Sequence, residues 1–409
     1  MKVLLVGSGG REHALAWKLK QSPQLSELHA APGNPGISAL GDCHPVRAED
    51  GDGLLALARE LEADLVVVGP EAPLVAGVGD HLRRAGIAVF GPGREAARIE
   101  GSKSFAKDVM RAAGVGFSDT MAVARPPCVV KADGLTAGKG SFVCRTQEEL
   151  DAALRAVAAL DTGLVIEELL EGEELSIFAL SDGRSVLPLP EAQDFKRVGD
   201  GDTGPNTGGM GSYSPYPDLG LEDVARLVDE IHRPVTAELA ARGTPFVGAL
   251  YAGVMLTDGG PRVFEFNCRF GDPEAQVILP RLEGDLLAAL AAAAGGDLTG
   301  VSLEVSASAA VAVAMAARDY PQSGDSGSPI EGIEDAEEAG AIVFHAGTAL
   351  RGGQVVTNGG RVLNVVGIGG SIAEARERAY AGVELISFEG AKYRTDIALA
   401  AAERERVPS

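Results

Sequence analysis

Three short apolar runs near the start of the chain each end on a glycine: Lys2–Val6 before Gly7, Asp64–Val68 before Gly69, and Ile87–Phe90 before Gly91. Runs of that length, rich in Val, Leu and Ile, read as strands buried on both faces. A helical pattern follows the first run over Glu12–Lys20, with Leu15, Trp17 and Leu19 among its apolar positions. Buried strands that alternate with helices close into an open parallel sheet, whose ligands sit beyond the carboxyl ends of its strands. Gly7-Ser8-Gly9-Gly10-Arg11-Glu12 lies at such an end and invites a dinucleotide reading. The fingerprint is broken, because Glu12 stands where its third glycine belongs and no acidic residue follows His29-Ala30-Ala31-Pro32. An anion at this helix N-terminus and a plain structural turn both remain open.

Val263-Phe264-Glu265-Phe266-Asn267-Cys268-Arg269-Phe270 alternates with period two. It reads as a strand with Phe264, Phe266, Cys268 and Phe270 in a core and Glu265, Asn267 and Arg269 on the other face. A carboxylate and an amide oxygen one pleat apart can hold Mg²⁺, which takes few protein ligands because phosphates and waters supply the rest. The guanidinium beside them suits a carboxylate or a phosphate. A half-exposed edge strand with polar decoration is the alternative.

Between these regions the pattern changes. Arg94 to about Gly114 reads as one helix. Strand–turn–strand units flank a helix over Gln147–Leu160, like a small α+β lid. In Val129-Val130-Lys131-Ala132-Asp133-Gly134-Leu135-Thr136-Ala137-Gly138-Lys139-Gly140 a glycine loop carries two lysines. It is no Walker A loop, because Gly140 follows Lys139 where Ser or Thr is required. A flap laying N–H groups and Lys over phosphates fits it, and so does an ordinary hairpin. After Leu164–Phe178, whose Glu174 stands directly before the apolar Leu175, residues 199–211 hold so much Gly, Asp and Thr that they read as a connector or a substrate clamp. A helix near Glu222–Arg242 precedes the last central strands, and Val355–Leu363 reads as a hairpin around Asn358-Gly359.

Composition narrows the function classes. With 409 residues the chain is long enough for about two to four domains. A net charge of −22 opposes nucleic acid as a partner, and any phosphate site must be built from local Lys, Arg and N–H groups. Cys43, Cys128, Cys144 and Cys268 form no CxxC pair, which argues against a zinc site and a disulfide framework and fits the cytoplasm. No secretory signal opens the chain, and Val305–Ala317 is too short and too rich in Ala and Ser to span a bilayer.

Together the segments resemble the ATP-grasp enzymes and, more narrowly, the glycinamide ribonucleotide synthetase (phosphoribosylamine–glycine ligase) family. The resemblance runs from Met1 to about Ile397, through GSGGREHALAWKL, APGNPG, VGPEAPLVAG, VKADGLTAGKG, VIEELLEGEE, QDFKRVGDGDTGPNTGGMGSYSP, EFNCRFGDPE, HAGT and TNGGRVL. Phe195 departs from the family's usual histidine, and the stretch from Met121 to Cys128 is shorter than usual. The resemblance implies an N-terminal open parallel α/β sheet over 1–101, a central ATP-grasp fold over 102–300 with a lid at about 115–180, and a small C-terminal α+β domain over 301–409.

It also implies a reaction. Glycine is joined to 5-phosphoribosylamine through glycyl phosphate, with ATP converted to ADP and phosphate, in purine biosynthesis. In that reading Glu265 and Asn267 hold Mg²⁺ or Mn²⁺. Lys103, Lys131, Gly138, Lys139 and Gly140 meet the ATP phosphates, Glu168 to Leu170 and Glu174 hold the adenosine, and Glu167 belongs to the same ATP site. Arg269 and Lys131 are the catalytic pair. Gly9, Gly10, Glu71, Asp194, Lys196, Asp202, Thr203, Asn206, Arg269, Gly271 and Asp272 orient the acceptor substrates. A monomer without nucleic-acid or membrane partners is expected. The competing readings are another ATP-grasp carboxylate–amine ligase and a nicotinamide oxidoreductase built on the N-terminal sheet.

Overall fold

The computed structural model describes residues 1–136 and 140–406. The N-terminal strands form a parallel five-stranded sheet in the order Asp42–Cys43, Glu27–Pro32, Lys2–Gly7, Leu65–Val68, Val89–Phe90. The strand order reverses between Lys2–Gly7 and Leu65–Val68, which opens a crevice at their carboxyl ends. Gly7, Gly9, Gly10 and Glu71 all lie at that edge.

The central part holds an antiparallel four-stranded sheet ordered Val186–Pro188, Glu173–Asp182, Val247–Thr257, Gly260–Asn267. Above it stands a small sheet of Ser141–Cys144, Cys128–Asp133 and Gly163–Glu168, backed by the helix Gln147–Ala158. Thr146 caps that helix, its hydroxyl accepting from Glu149 N at 3.2 Å while Glu149 reaches back to Thr146 N at 3.0 Å.

Three local expectations are corrected. The single helix over Arg94–Gly114 is two, Arg94–Gly101 and Lys103–Ala113, because Ser102 adopts extended backbone and its hydroxyl caps the second at Phe105 N. The break puts Lys103 at a helix start beside the lid. The hairpin around Asn358-Gly359 does not form. Gln354–Gly359 pairs with Thr348–Arg351 and Asp325–Pro329, while Arg361–Gly369 joins a different sheet. The turn needs glycine for close approach, since a Cβ on Gly360 would meet the Tyr320 ring at 2.5 Å. Finally, Phe264 is not a core residue. Pairing shifts from Gly253↔Glu265 to Val254↔Val263, so Phe264 is the extra residue of a bulge, half-buried at the cleft, while Val263 takes the core position.

The largest C-terminal sheet, also antiparallel, runs Gln193–Asp194, Gly211–Ser214, Ala309–Ala316, Arg361–Gly369, Ile342–His345. Its first two strands come from the middle of the chain. One apolar core links the layers, with Leu4, Leu250, Val311 and Val365 all fully buried in it. Among the described residues no helix is long and apolar enough to cross a membrane.

Candidate functional site

A cleft of about 1370 Å³ lies between the central sheet, the lid and the C-terminal segment. Lys103, Lys131, Gly140, Glu167, Glu168, Leu170, Glu174, Glu71, Asp194, Lys196, Asp202, Asn206, Glu265, Asn267, Arg269 and Asp272 line it. Gly9, Gly10, Thr203 and Gly271 do not. Gly138 and Lys139, with Ala137, lie outside the described residues.

The lysines are placed by the protein itself. Lys131 Nζ donates to Phe264 O at 2.7 Å and lies 2.8 Å from Glu167 Oε2. The other Glu167 oxygen takes Lys107 Nζ at 3.1 Å, and Ser118 Oγ donates to Oε2 at 2.7 Å. Glu167 is thus a buried anchor shared by two ammonium groups. Burial lowers the Lys107 pKa against the opposing pull of Glu167. Lys103 Nζ donates to Gly134 O at 2.8 Å, which ties the root of the glycine loop to the helix start.

Glu168 spends Oε1 on Asp119 N at 2.8 Å and on Arg262 Nη2 at 2.6 Å, so its side chain fixes the hinge at the wall of the cleft. Leu170 follows on the same hinge, while Glu174 pairs with Lys196. Lys196 Nζ also lies 3.2 Å from Asp194 Oδ1. Burial raises the Asp194 pKa well above that of an ordinary carboxyl, and the Glu274 and Glu265 carboxylates beside it push the same way.

Glu265 and Asn267 stand at the end of the strand Gly260–Asn267 and face this group. Burial works to raise the Glu265 pKa, but the charges of Lys196, Lys131, Lys103 and Arg269 outweigh it and hold the carboxyl below its usual value. Among the described residues no group donates a hydrogen bond to this carboxylate. Asn267 Oδ1 accepts from Arg269 Nη2 at 3.2 Å and keeps further lone-pair capacity. No cluster of three or more His, Cys, Asp or Glu side chains arranged for a metal exists among the described residues. An ionised carboxylate beside an amide oxygen fits a cation that completes its shell with phosphate and water.

Arg269 is held on every side. Its Nε lies 3.1 Å from Glu71 Oε2, its Nη2 3.2 Å from Glu100 Oε1, and its Nη1 donates to Phe270 O at 3.2 Å. Burial alone would lower its pKa, but Glu100 and Glu71 raise it instead. Burial opposes ionisation of Glu71, yet Arg269 and Arg11 bring its pKa down to about 2. Asp272 Oδ2 lies 2.9 Å from Arg361 Nη2 and its Oδ1 accepts from Gln276 Nε2 at 2.7 Å.

Glu12 explains the broken glycine pattern. Its Oε2 accepts from Gly9 N at 2.7 Å, and its Oε1 accepts from Arg11 Nε at 2.6 Å. The helix N-terminus therefore already holds a carboxylate from its own chain. Gly10 is buried under the C-terminal sheet, where a Cβ would meet Asn364 Nδ2 at 2.6 Å.

Sequence reasoning missed Lys107, Glu100, Glu274 and Arg361. Glu274 is buried and accepts from Tyr251 OH at 2.9 Å. Lys107 recurs one helical turn after Lys103 in the Lys103–Ala113 helix, the one signal that could have found it.

A lid sheet standing over a central antiparallel sheet, with Lys131 of the lid and the Glu265 carboxylate of the central sheet lining one cleft, defines an ATP-grasp enzyme. Models of phosphoribosylglycinamide synthetase match the chain with the N domain at 1–100, the ATP-grasp (A) domain at 101–275 and the C domain at 310–400. The chain belongs to the phosphoribosylglycinamide synthetase family. It is 49% identical over 423 residues to the phosphoribosylamine–glycine ligase of Mesorhizobium japonicum, covering 99% of this chain and 100% of the relative. The ligase of Streptomyces coelicolor is 50% identical over 418 residues, covering 98% of this chain and 100% of the relative. The crystal structure of the phosphoribosylamine–glycine ligase from Thermotoga maritima superposes with a TM-score of 0.84 at 34% identity, covering 97% of this chain and 100% of that one. The biotin carboxylase domain of Hydrogenobacter thermophilus 2-oxoglutarate carboxylase, solved with MgADP, shares the fold with a TM-score of 0.69 at 18% identity over 96% of this chain and 91% of that one.

Proposed function

We propose that this protein ligates glycine to 5-phosphoribosylamine, with ATP converted to ADP and phosphate, as a cytoplasmic monomer in purine biosynthesis. The observation that carries the reading is the Glu265 carboxylate, ionised, without a hydrogen-bond partner among the described residues and facing Lys131, Lys103 and Lys196. Relatives about half identical over their full length carry the ligase name, which supports the choice of substrates.

In this reading Glu265 and Asn267 hold Mg²⁺ or Mn²⁺, which when bound neutralises charge on the transferring phosphates. Lys131 and Lys103 orient phosphate oxygens, and Glu167 keeps Lys131 aimed. A glycine carboxylate oxygen attacks the γ-phosphorus, the bond to ADP breaks, and glycyl phosphate forms. The ribosylamine nitrogen then attacks the acyl carbon, the C–O bond breaks, phosphate leaves and the nitrogen gives up a proton. Neither step needs a protein nucleophile, so rate comes from positioning and charge neutralisation. Arg269, locked by Glu71 and Glu100, presents its guanidinium to the anionic centre as a fixed positive charge. The hinge at Glu168–Leu170 with Glu174 receives the adenosine. Asp194, Lys196, Asp202, Asn206 and Asp272 line the acceptor end, with Gly9, Gly10, Thr203 and Gly271 shaping the turns beneath them. The domain limits that go with this division are 1–101, 102–300 and 301–409, the lid lying at about 115–180.

ADP release tests the reading. It should require glycine and 5-phosphoribosylamine together, the latter formed in place from ribose 5-phosphate and ammonia. Release with glycine replaced by another carboxylate, and none with glycine, would overturn it. Lys131→Ala should raise the KM for ATP by about tenfold, a loss of one charge-assisted phosphate contact.

A further inference from the structure

The segment from Arg197 to Asn206 buries little of itself, yet three consecutive residues of the C-terminal tail fasten it. Arg394 Nη1 donates to Arg197 O at 3.1 Å and to Asp202 Oδ1 at 2.8 Å. Its Nε and Nη2 grip both oxygens of Asp396 at 2.7 Å each, and its guanidinium carbon sits 4.9 Å over the Phe195 ring. Thr395 donates from N and Oγ1 to the two oxygens of Asp200 at 2.8 and 2.6 Å. Asp396 Oδ2 accepts from Gly201 N at 2.8 Å.

These bonds hold a turn that the backbone would not choose. Asp202 has φ 53°, between Gly201 at 64° and Gly204 at 80°. A residue with a Cβ keeps that conformation when its surroundings over-determine it. Arg394 is only 2% exposed, and its bidentate partner keeps the buried charge compensated. Beyond the turn, Asn206 Nδ2 reaches Ser141 O in the lid at 3.3 Å. The turn therefore carries Asp202 and Asn206 into the cleft between lid and central sheet.

We propose that Arg394-Thr395-Asp396 is a clasp that presets the 197–206 loop for the acceptor amine, with Arg394 a positioning residue that acts through Asp202 and Asp396. The proposal rests on the ligase reading above. A polyhydroxylated, phosphorylated amine needs several polar groups fixed at once, and fixing them before binding spares the ordering entropy. In the same proposal ATP and glycine are held by residues outside the 197–206 loop, so the clasp bears on the amine alone.

Arg394→Lys keeps the charge but loses the planar fork. Thr395→Val removes one exposed bond and leaves the core untouched. Hydrogen exchange of the amides of 198–204 and 206 should speed up by roughly tenfold in both variants, with the melting temperature of Thr395→Val near the parent's. The KM for 5-phosphoribosylamine should rise by about fivefold or more, while those for ATP and glycine stay within about twofold. Unchanged loop exchange in the folded variants would overturn the clasp. So would a loosened loop with all three KM values unchanged or raised alike. If Arg394→Lys fails to fold, Thr395→Val alone decides. A parent that releases no glycine-dependent ADP overturns the ligase reading, while loop exchange still decides whether the clasp orders the turn.

Discussion

Lys131 Nζ sits 2.8 Å from Glu167 Oε2, and that carboxylate is buried beneath the cleft with Lys107 on its other oxygen. One acid thus compensates two ammonium groups. Removing it leaves both without a counter-charge in a poorly solvated place. Glu167→Ala should cost about 3–5 kcal/mol of stability, the range for breaking a buried ion pair. Urea unfolding would check this, and a loss below about 1 kcal/mol would refute the anchor role.

Glu265→Ala should leave the melting temperature near the parent's, because the side chain makes no hydrogen bond among the described residues. Turnover should fall by more than about 100-fold, the upper range for losing a group that merely supports a metal ligand. Full activity would remove the cation assignment.

His232 gives a pH prediction with a definite sign. Burial lowers its pKa to about 4, below the ordinary value of 6.5, against the opposing pull of the Ile177 and Leu250 backbone. The unfolded chain therefore binds a proton that the folded chain refuses. Stability from this residue is fully present above pH 6.5 and is lost as pH falls toward 4. His232→Leu should flatten the stability–pH curve in that window by up to about 1.4 kcal/mol per pH unit. Comparing parent and variant isolates this group from Asp194 and Glu100, whose raised pKa values tilt the curve the other way. Parallel curves would refute the prediction.

Gly69→Ala should destabilise by about 1–3 kcal/mol, the usual cost of overpacking. A Cβ there would run into the Glu12 carboxyl group, whose place is set by Gly9 N and Arg11. Thermal melting would show it, and an unchanged midpoint would mean that Glu12 can move freely.

Four of the five strands of the parallel N-terminal sheet were legible because each runs onto a glycine, whereas Asp42–Cys43 runs on into His44 and carries no such mark. That Glu265 and Asn267 share one strand face was legible from their alternation, although the pattern alone left a decorated edge strand open. What was hidden depends on partners far away in sequence. Phe264 leaves the alternation through a bulge set by Gly253 and Val254 on the neighbouring strand. Glu100 and Glu274 look like ordinary surface acids until Arg269 and Tyr251 come against them. Asn-Gly at 358–359 promised a hairpin, but Gly360 packs on Tyr320 and the chain changes sheets. The glycine-rich segment after Arg197 looked like either a connector or a clamp, and nothing local could say that Arg394 would hold it.

The sheet that mixes Gly211–Ser214 with Ala309–Ala316 and Arg361–Gly369 has a bearing on biosynthesis. A nascent chain stalled at residue 300 would expose an edge of Gly211–Ser214 with nothing to pair against, a site for sticking to other chains. The cleft cannot be finished until the ribosome has delivered nearly the whole polypeptide. Chains truncated before the last strands should therefore precipitate rather than yield a smaller working enzyme.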